Sequence, residues 1–185
     1  DNTAMTDLVR GANFHLENLS HHDLNDIAYR AVSGLGEDQP IETHSTRFSS
    51  LNYGVVMYQK TGLVFFYLKD YLGEELFDKS MQAYYSEWEF KHPQPADMQK
   101  SIEKSSNKDL SWLFDDLIQT TNHIDYKLAR VKDKRQDNVL TVTVKNVGQV
   151  DGPIEVNGLK DGKVIETIWI EPGNKRTTVF LKDTI

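Results

Sequence analysis

Residues 52–72 read NYGVVMYQKTGLVFFYLKDYL, and this stretch decides the fold of the first part of the chain. Its apolar side chains recur at i, i+3 and i+4, the spacing of one helix face. Further apolar residues lie on the opposite side, so we expect a central, buried helix. Gly73 follows and suits its C-terminal end, because glycine readily adopts the left-handed conformation found there. The apolar face consists of Val56, Leu63, Val64, Tyr67, Leu68, Tyr71 and Leu72.

Helical patterns also occur on both sides of this stretch. Short helices are predicted upstream at residues 4–18 and 23–32, before a loop that contains Gly34 and Gly36. The segment that follows Gly73 begins with two glutamates, which favour the positive N-terminal end of a helix. Downstream helices are therefore predicted at residues 74–88, 96–105 and 109–118.

From residue 125 the pattern changes to alternation of apolar and polar residues, which predicts strands. Turn signals separate these strands, and Asp161-Gly162 is typical of a two-residue type I′ hairpin. Five short strands at this spacing suggest a small sandwich or barrel. The predicted strands are residues 126–131, 138–146, 153–159, 163–170 and 176–182.

The two patterns together predict an α+β chain with two parts. Residues 1–124 are expected to form an all-helical N-terminal subdomain. Residues 125–185 are expected to form a small β-sandwich-like domain. The chain has 185 residues, of which 38% are hydrophobic, and this is enough to bury a substantial core.

Composition excludes several classes of function. The net charge is −7 and no basic stripe is visible, which argues against nucleic acid as a partner. No apolar run approaches the roughly 18 residues that a membrane-spanning helix needs. The chain contains no cysteine, so disulfides, thiol catalysis and cysteine-ligated zinc are excluded.

The residues alone do not identify an active site. None of the six histidines lies in an H-E-x-x-H motif, and no G-x-S-x-G motif is present. His22 and Asp26 are four residues apart on a predicted helix, but such pairs usually lie on a solvated surface. On the same basis Tyr58 is predicted to be a core aromatic of the central helix, with its hydroxyl hydrogen-bonded.

A series of short motifs between residues 52 and 118 changes this interpretation. In order, they are YQKTG at 58–62, LGEELF at 72–77, FKHP at 90–93, an acidic helix start at Asp97, and DLSWLF at 109–114. This order and spacing resembles the helical half of the catalytic domain in the aminopeptidase N-like zinc metallopeptidases, the gluzincins. The implied fold is the C-terminal helical half of a thermolysin-like domain, followed by the β-domain that often succeeds it in the family.

The resemblance implies that Tyr58 is catalytic, because the tyrosine of the Y-x-K-small motif is catalytic in that family. Zinc there polarises the peptide carbonyl and activates a water molecule. The phenol adds a hydrogen bond to the developing oxyanion. A phenol has a pKa near 10, so it keeps its proton at neutral pH. The implied activity of the parent protein is the hydrolysis of N-terminal peptide bonds, with peptides as substrates.

Several elements of the family pattern are missing. The H-E-x-x-H motif and the G-x-M-E-N-like motif for the substrate amine are absent, and Glu17 in FHLEN does not match the third zinc ligand. We therefore expect a fragment that begins after the zinc ligands, binds no zinc and is inactive alone. The remainder of the catalytic domain would pack on it. Lys60 is expected to be structural, and His92 to be a cap or packing residue.

The alternative is a non-catalytic binding module with a helical and a β-sandwich part, related to the peptidases only by ancestry. An intact H-E-x-x-H motif upstream in the parent would favour the enzyme, and its loss would favour the module. The resemblance also suggests export or a periplasmic location, by analogy with bacterial relatives.

Overall fold

The central helical stretch is divided into three segments in the computed structural model, which describes residues 21–134, 139–173 and 175–182. It consists of helix α2 (Ser50–Gly54), the π-helical segment π1 (Val55–Lys60) and helix α3 (Thr61–Leu72). Gly54 and Thr61 keep right-handed helical dihedral angles, so the backbone remains helical at both junctions. The prediction of one helix was therefore right in extent but missed the π-helical segment.

The chain divides into two compact units, with the boundary between Phe66 and Tyr67. In the first unit, helix α1 (His21–Gly34) packs against π1, and a short 3₁₀ turn (Ser45–Arg47) lies between α1 and α2. Helix α1 confirms the prediction at 23–32. The helix predicted at 4–18, which includes Glu17, lies outside the described residues.

The second unit begins with helical elements that the sequence predicted closely. Helices α4 (Glu74–Trp88) and α5 (Pro95–Ser106) pack against each other, and the π-helical segment π2 (Trp112–Ile118) follows. Gly73 has a φ of 79° between α3 and α4, which confirms its role as a helix stop. None of the described helices is long and apolar enough to cross a membrane.

Five antiparallel strands complete the second unit. They form a three-stranded sheet in the order β1-β2-β5 and a two-stranded sheet of β3 and β4. Asp161 and Gly162 have φ values of 50° and 75° in the turn between β3 and β4, as a type I′ hairpin requires. The strands are β1 (Tyr126–Lys134), β2 (Val139–Asn146), β3 (Ile154–Lys160), β4 (Lys163–Ile170) and β5 (Arg176–Lys182).

The two sheets share one hydrophobic core, to which Val142, Val144, Ile170 and Leu181 contribute buried side chains. The α+β class is thereby confirmed, and the β part is a small sandwich-like pair of sheets. Helical structure ends at Ile118 and strands begin at Tyr126, where the sequence predicted the change. A domain boundary at residues 124 and 125 remains a prediction.

An aromatic cluster joins helical and β elements within the second unit. The Trp112 ring contacts the rings of Tyr67 and Tyr71 edge-on, with centroid separations of 5.7 and 5.9 Å. Trp169 of β4 contacts the same two tyrosines at 6.0 and 5.4 Å. The Lys108 ammonium lies 2.7 Å from a Glu171 carboxylate oxygen, and the Tyr71 hydroxyl donates to the same carboxylate. These contacts fix α3 residues 67–72 against the strands.

The expectation that the central stretch is buried on both sides was wrong for its second face. Val56, Val64, Leu68 and Tyr71 are buried, as the helical spacing predicted. Phe66, on the other side, is 50% exposed. In the described part of the chain, burial is therefore concentrated on the face that the i, i+3, i+4 pattern marks.

Gly148 provides a test of the link between the helical and β parts of the second unit. A Cβ atom there would lie 2.6 Å from the Asp125 nitrogen and 2.7 Å from the His123 oxygen, both backbone atoms. Gly148→Ala is expected to lower the free energy of unfolding by about 1–3 kcal/mol, because the backbone must shift to admit the methyl group. Urea unfolding of the two proteins measures the difference.

Gly62→Ala is the matched control. A Cβ at Gly62, within helix α3, has no neighbouring atom within 4 Å. This substitution should be neutral or stabilising by up to about 1 kcal/mol, because alanine favours a helix more than glycine. Equal effects of the two substitutions would contradict the close approach at Gly148.

Candidate active site around Tyr58

The helical run that carries Tyr58 starts at a fixed point because polar residues hold its first turn. The Ser49 hydroxyl accepts a hydrogen bond from the Asn52 nitrogen at 3.1 Å, as expected of an N-terminal cap. The Asn52 side chain is only 3% exposed, and its amide donates to the Glu37 carbonyl at 2.7 Å. Asn52 thus fixes the start of α2 against the loop that follows α1.

Gln39 connects the same loop to the residues just before α2. Its carbonyl oxygen accepts from the Ser49 nitrogen at 2.9 Å and from the Asn52 amide at 3.1 Å. Its amide group donates to the Arg47 carbonyl at 3.0 Å. Asn52, Gln39 and Ser49 form a polar clamp, and the clamp sets the position from which α2 and π1 continue.

The widened turn of π1 is closed at Val56. The Val56 carbonyl accepts the backbone N–H of Thr61, five residues later, which is the hydrogen-bond pattern of a π-helix. The Thr61 hydroxyl also donates to this carbonyl at 3.2 Å. Val56 itself is fully buried, so the carbonyl that closes the turn belongs to a residue fixed in the core.

The π-helical segment brings Tyr53 and Tyr58 onto one face. In a regular α-helix, residues five apart point roughly 140° away from each other, since each turn contains about 3.6 residues. A wider turn has a smaller rotation per residue, so the π-helical residues 55–58 bring the two side chains closer together around the helix. The two rings meet edge-to-face, with centroids 5.8 Å apart and an interplanar angle of 79°.

Tyr58 points outward. Its side chain is 64% exposed and that of Tyr53 is 48% exposed. The prediction of a core aromatic, made from the residues alone, was wrong, because Tyr58 lies two residues from the buried Val56 and therefore on nearly the opposite side of the helix. A hydrogen bond with the Tyr53 side chain raises the pKa of Tyr58 above the usual value of 10.0. Tyr58 is thus a protonated hydrogen-bond donor on an open surface.

Lys60 lies on the other side of π1. It is 2% exposed, and its ammonium group lies 5.4 Å from the centre of the Tyr29 ring of α1. Burial lowers the pKa of Lys60, and the negative charge of Asp38 opposes this shift. The placement agrees with the prediction that Lys60 points away from Tyr58 and is structural.

Burial also raises the pKa of Tyr29 to about 12. The Tyr29 hydroxyl donates to an Asp38 carboxylate oxygen at 3.3 Å. Lys60, which is buried, and Tyr29 and Asp38, which are half-buried, therefore form a polar cluster that attaches π1 to α1 and to the loop after it. Burying an ammonium group is costly unless it has such partners.

The prediction for His92 was wrong. His92 is exposed, so it is not a packing residue. The N-terminal cap of α5 is Gln94, whose backbone N–H donates to the Asp97 carboxylate at 2.9 Å. Asp97 thus occupies the acidic helix start that the sequence marked.

Within residues 21–134, 139–173 and 175–182, no group of three or more histidine, aspartate or glutamate side chains could hold a metal ion. The described residues therefore do not fit zinc as ligands.

Comparison with known proteins establishes the family. The model of the peptidase family M1 domain matches residues 7–117, a range that includes α1, the polar clamp, π1 and both tyrosines. The chain belongs to peptidase family M1. The resemblance to the aminopeptidase N-like peptidases found in the sequence is thereby confirmed. No match of comparable significance occurs among curated proteins.

A solved structure supports the fold of this M1 chain. This chain is similar to the crystal structure of Legionella pneumophila aminopeptidase A in complex with aspartic acid, with a TM-score of 0.56 and 17% sequence identity. The match covers 74% of this chain and 16% of that chain. The M1 chain described here thus corresponds to a small part of the length of that aminopeptidase.

Sequence analysis missed Tyr53. Its spacing of five residues from Tyr58 places it off the face in an α-helix, so no helical pattern could pair the two. The π-helical turn creates the pairing, and only the backbone shows this turn.

The polar clamp predicts the effect of removing Asn52. Asn52→Ala deletes two buried hydrogen bonds and leaves the Glu37 carbonyl without the Asn52 amide, which should cost about 1–3 kcal/mol of unfolding free energy. Asn157→Ala is the matched control, since the exposed Asn157 also makes two side-chain hydrogen bonds. It should change stability by less than about 0.5 kcal/mol. Equal losses in urea unfolding would argue against the clamp.

Proposed function

We propose that this M1 chain is part of a zinc aminopeptidase that hydrolyses N-terminal peptide bonds, and that Tyr58 is its catalytic tyrosine. The observation that carries the proposal is the outward orientation of Tyr58, which is 64% exposed on a π-helical segment. Single π-helical turns are frequent at functional sites. Membership of the M1 family supports a peptidase, and the likeness to an aminopeptidase structure supports the narrower activity.

The chemistry of a phenol suits this role. Attack of water on a peptide carbonyl produces a tetrahedral oxyanion, and a correctly placed donor binds the negative charge as it develops. Tyr58 offers one O–H donor and holds its proton at neutral pH, because its pKa is raised above 10.0. The buried anchors on either side of it, Val56 and Lys60, fix the backbone of π1. A donor on a fixed segment loses little freedom when it binds the oxyanion.

The remainder of the catalytic domain would complete the site. We propose that it packs on this chain next to the tyrosines and supplies the zinc ligands and the substrate-amine glutamate. The small share of the Legionella aminopeptidase that the match covers, 16%, supports this division. Under this proposal the chain alone has no peptidase activity, and the whole protein has it.

Tyr58→Phe in the full-length protein tests the role directly. The substitution keeps the ring and removes the donor, so kcat should fall by roughly 10²–10³, the usual loss for one oxyanion donor. KM should change little, because the donor acts chiefly in the transition state. Steady-state hydrolysis of an aminoacyl p-nitroanilide gives both constants.

Tyr85→Phe is the control. Tyr85 on α4 is 65% exposed, so its variant also loses an exposed phenolic hydroxyl, on an element separate from the candidate site. Its kinetic constants should equal those of the wild type. An unchanged kcat in Tyr58→Phe would refute the catalytic role. A full-length protein without H-E-x-x-H and without activity would instead support the binding module.

A further inference from the structure

We propose that Tyr53 is a positioning residue that orients the phenol of Tyr58 through its ring and its hydroxyl group. This inference deepens the proposed function and rests on Tyr58 being the oxyanion donor. It assigns a role to a side chain outside the Y-x-K-small motif. Its basis is the edge-to-face juxtaposition of two aromatic side chains, Tyr53 at the end of α2 and Tyr58 in π1.

The ring contact restricts Tyr58. Edge-to-face rings attract because the positive edge of one meets the negative face of the other. The observed pair has this geometry, with a centroid distance of 5.8 Å and an angle of 79°. Since Tyr58 is 64% exposed, it has few other contacts to limit its rotamers. Tyr53 therefore provides a lateral support that keeps the phenol near one orientation.

The two hydroxyl groups also interact. A hydrogen bond with Tyr53 is the main reason why the pKa of Tyr58 is raised. The sign shows that the interaction favours the neutral phenol over the phenolate. Such a phenol retains its proton when a positive charge nearby would favour ionisation. This sign is that of a Tyr58 phenol that donates its single O–H to the Tyr53 oxygen, so the contact holds the phenol in place until the O–H turns to an oxyanion.

Other ionisable groups around π1 act elsewhere. Tyr29 of α1 and Asp38 of the following loop act on Lys60, on the buried side. Arg30 of α1 is paired with Asp26 at 2.7 Å. In the described part of the first unit, Tyr53 is the ionisable group that shifts the pKa of Tyr58. The pairing can therefore be tested by changing Tyr53 alone.

Two substitutions at Tyr53 in the full-length protein separate the ring from the hydroxyl. Tyr53→Phe keeps the edge-to-face ring and removes the hydroxyl. Tyr53→Leu removes both. Tyr58→Phe assigns the signals of Tyr58, and Tyr85→Phe is the control for loss of an exposed phenol. The readouts are the pH titration of the Tyr58 phenol by NMR of ring-labelled tyrosine and the pH profile of kcat.

Tyr53→Phe should lower the pKa of Tyr58 and move the alkaline limb of kcat to lower pH, with kcat at neutral pH close to that of the wild type. Tyr53→Leu should show the same pKa shift, and its kcat at neutral pH should fall by roughly ten-fold or more. A misplacement of about 1 Å can cost up to 10²-fold. KM should stay within about two-fold, and Tyr85→Phe should change neither readout.

The titration distinguishes failure of this inference from failure of the proposed function. If the pKa of Tyr58 is unchanged in Tyr53→Phe and kcat is unchanged in Tyr53→Leu, the positioning role is overturned even when Tyr58→Phe is inactive. If the pKa shifts as expected but Tyr58→Phe retains full kcat, the proposed function fails and the physical pairing stands. If Tyr53→Leu loses kcat but also unfolds at lower urea, the loss can come from destabilisation. The pKa of Tyr58 in Tyr53→Phe then decides: a lowered pKa supports the positioning role, and an unchanged pKa overturns it.

Discussion

The candidate site depends on the π-helical hydrogen bonding of residues 55–60. At the end of this segment the Val56 carbonyl accepts the Thr61 N–H, and the Thr61 hydroxyl donates to the same acceptor. Without this turn, Tyr53 and Tyr58 would diverge by roughly 140° around a regular helix. With it, the two rings meet on an open face while Val56 stays in the core. A local change in hydrogen bonding thus creates a surface feature that the side-chain sequence alone does not determine.

The same six-residue segment serves two opposite environments. Lys60 is almost completely buried against Tyr29, whereas Tyr58, two residues earlier, is mostly exposed. Burial of a cation carries a desolvation penalty, and the ring of Tyr29 and the charge of Asp38 offset part of it. At the N-terminal end of α2, the polar clamp of Gln39, Ser49 and Asn52 fixes where the helix begins. π1 is therefore held at both ends by polar groups, and its exposed tyrosines can be precise in position without being buried.

Much of the fold follows from the sequence because its signals are local. The alternation of apolar and polar residues predicts the strands. Gly73 and Asp161-Gly162 predict the helix stop and the hairpin turn, because these positions require positive φ angles. Both π-helical segments were missed, because one widened turn barely alters an apolar pattern of period 3.6. The orientation of Tyr58 was missed for the same reason. His92 was misassigned because its position in a Pro-bounded turn does not show which residue caps the next helix. Gln94 and Asp97, two and five residues later, form that cap.

The helical spacing and the sequence motif gave two different predictions for Tyr58. Amphipathic spacing places the residue on a helix and predicts that it packs inside. The motif around it predicts a function, and a function in hydrolysis requires access to a substrate. The structure resolves the conflict, since Tyr58 is 64% exposed whereas Val56 and Val64 are buried in the core. A tyrosine that packed inward could not reach a peptide, so the exposure of Tyr58 beside the buried Val56 is the physical condition under which the family motif and the hydrophobic pattern can both hold.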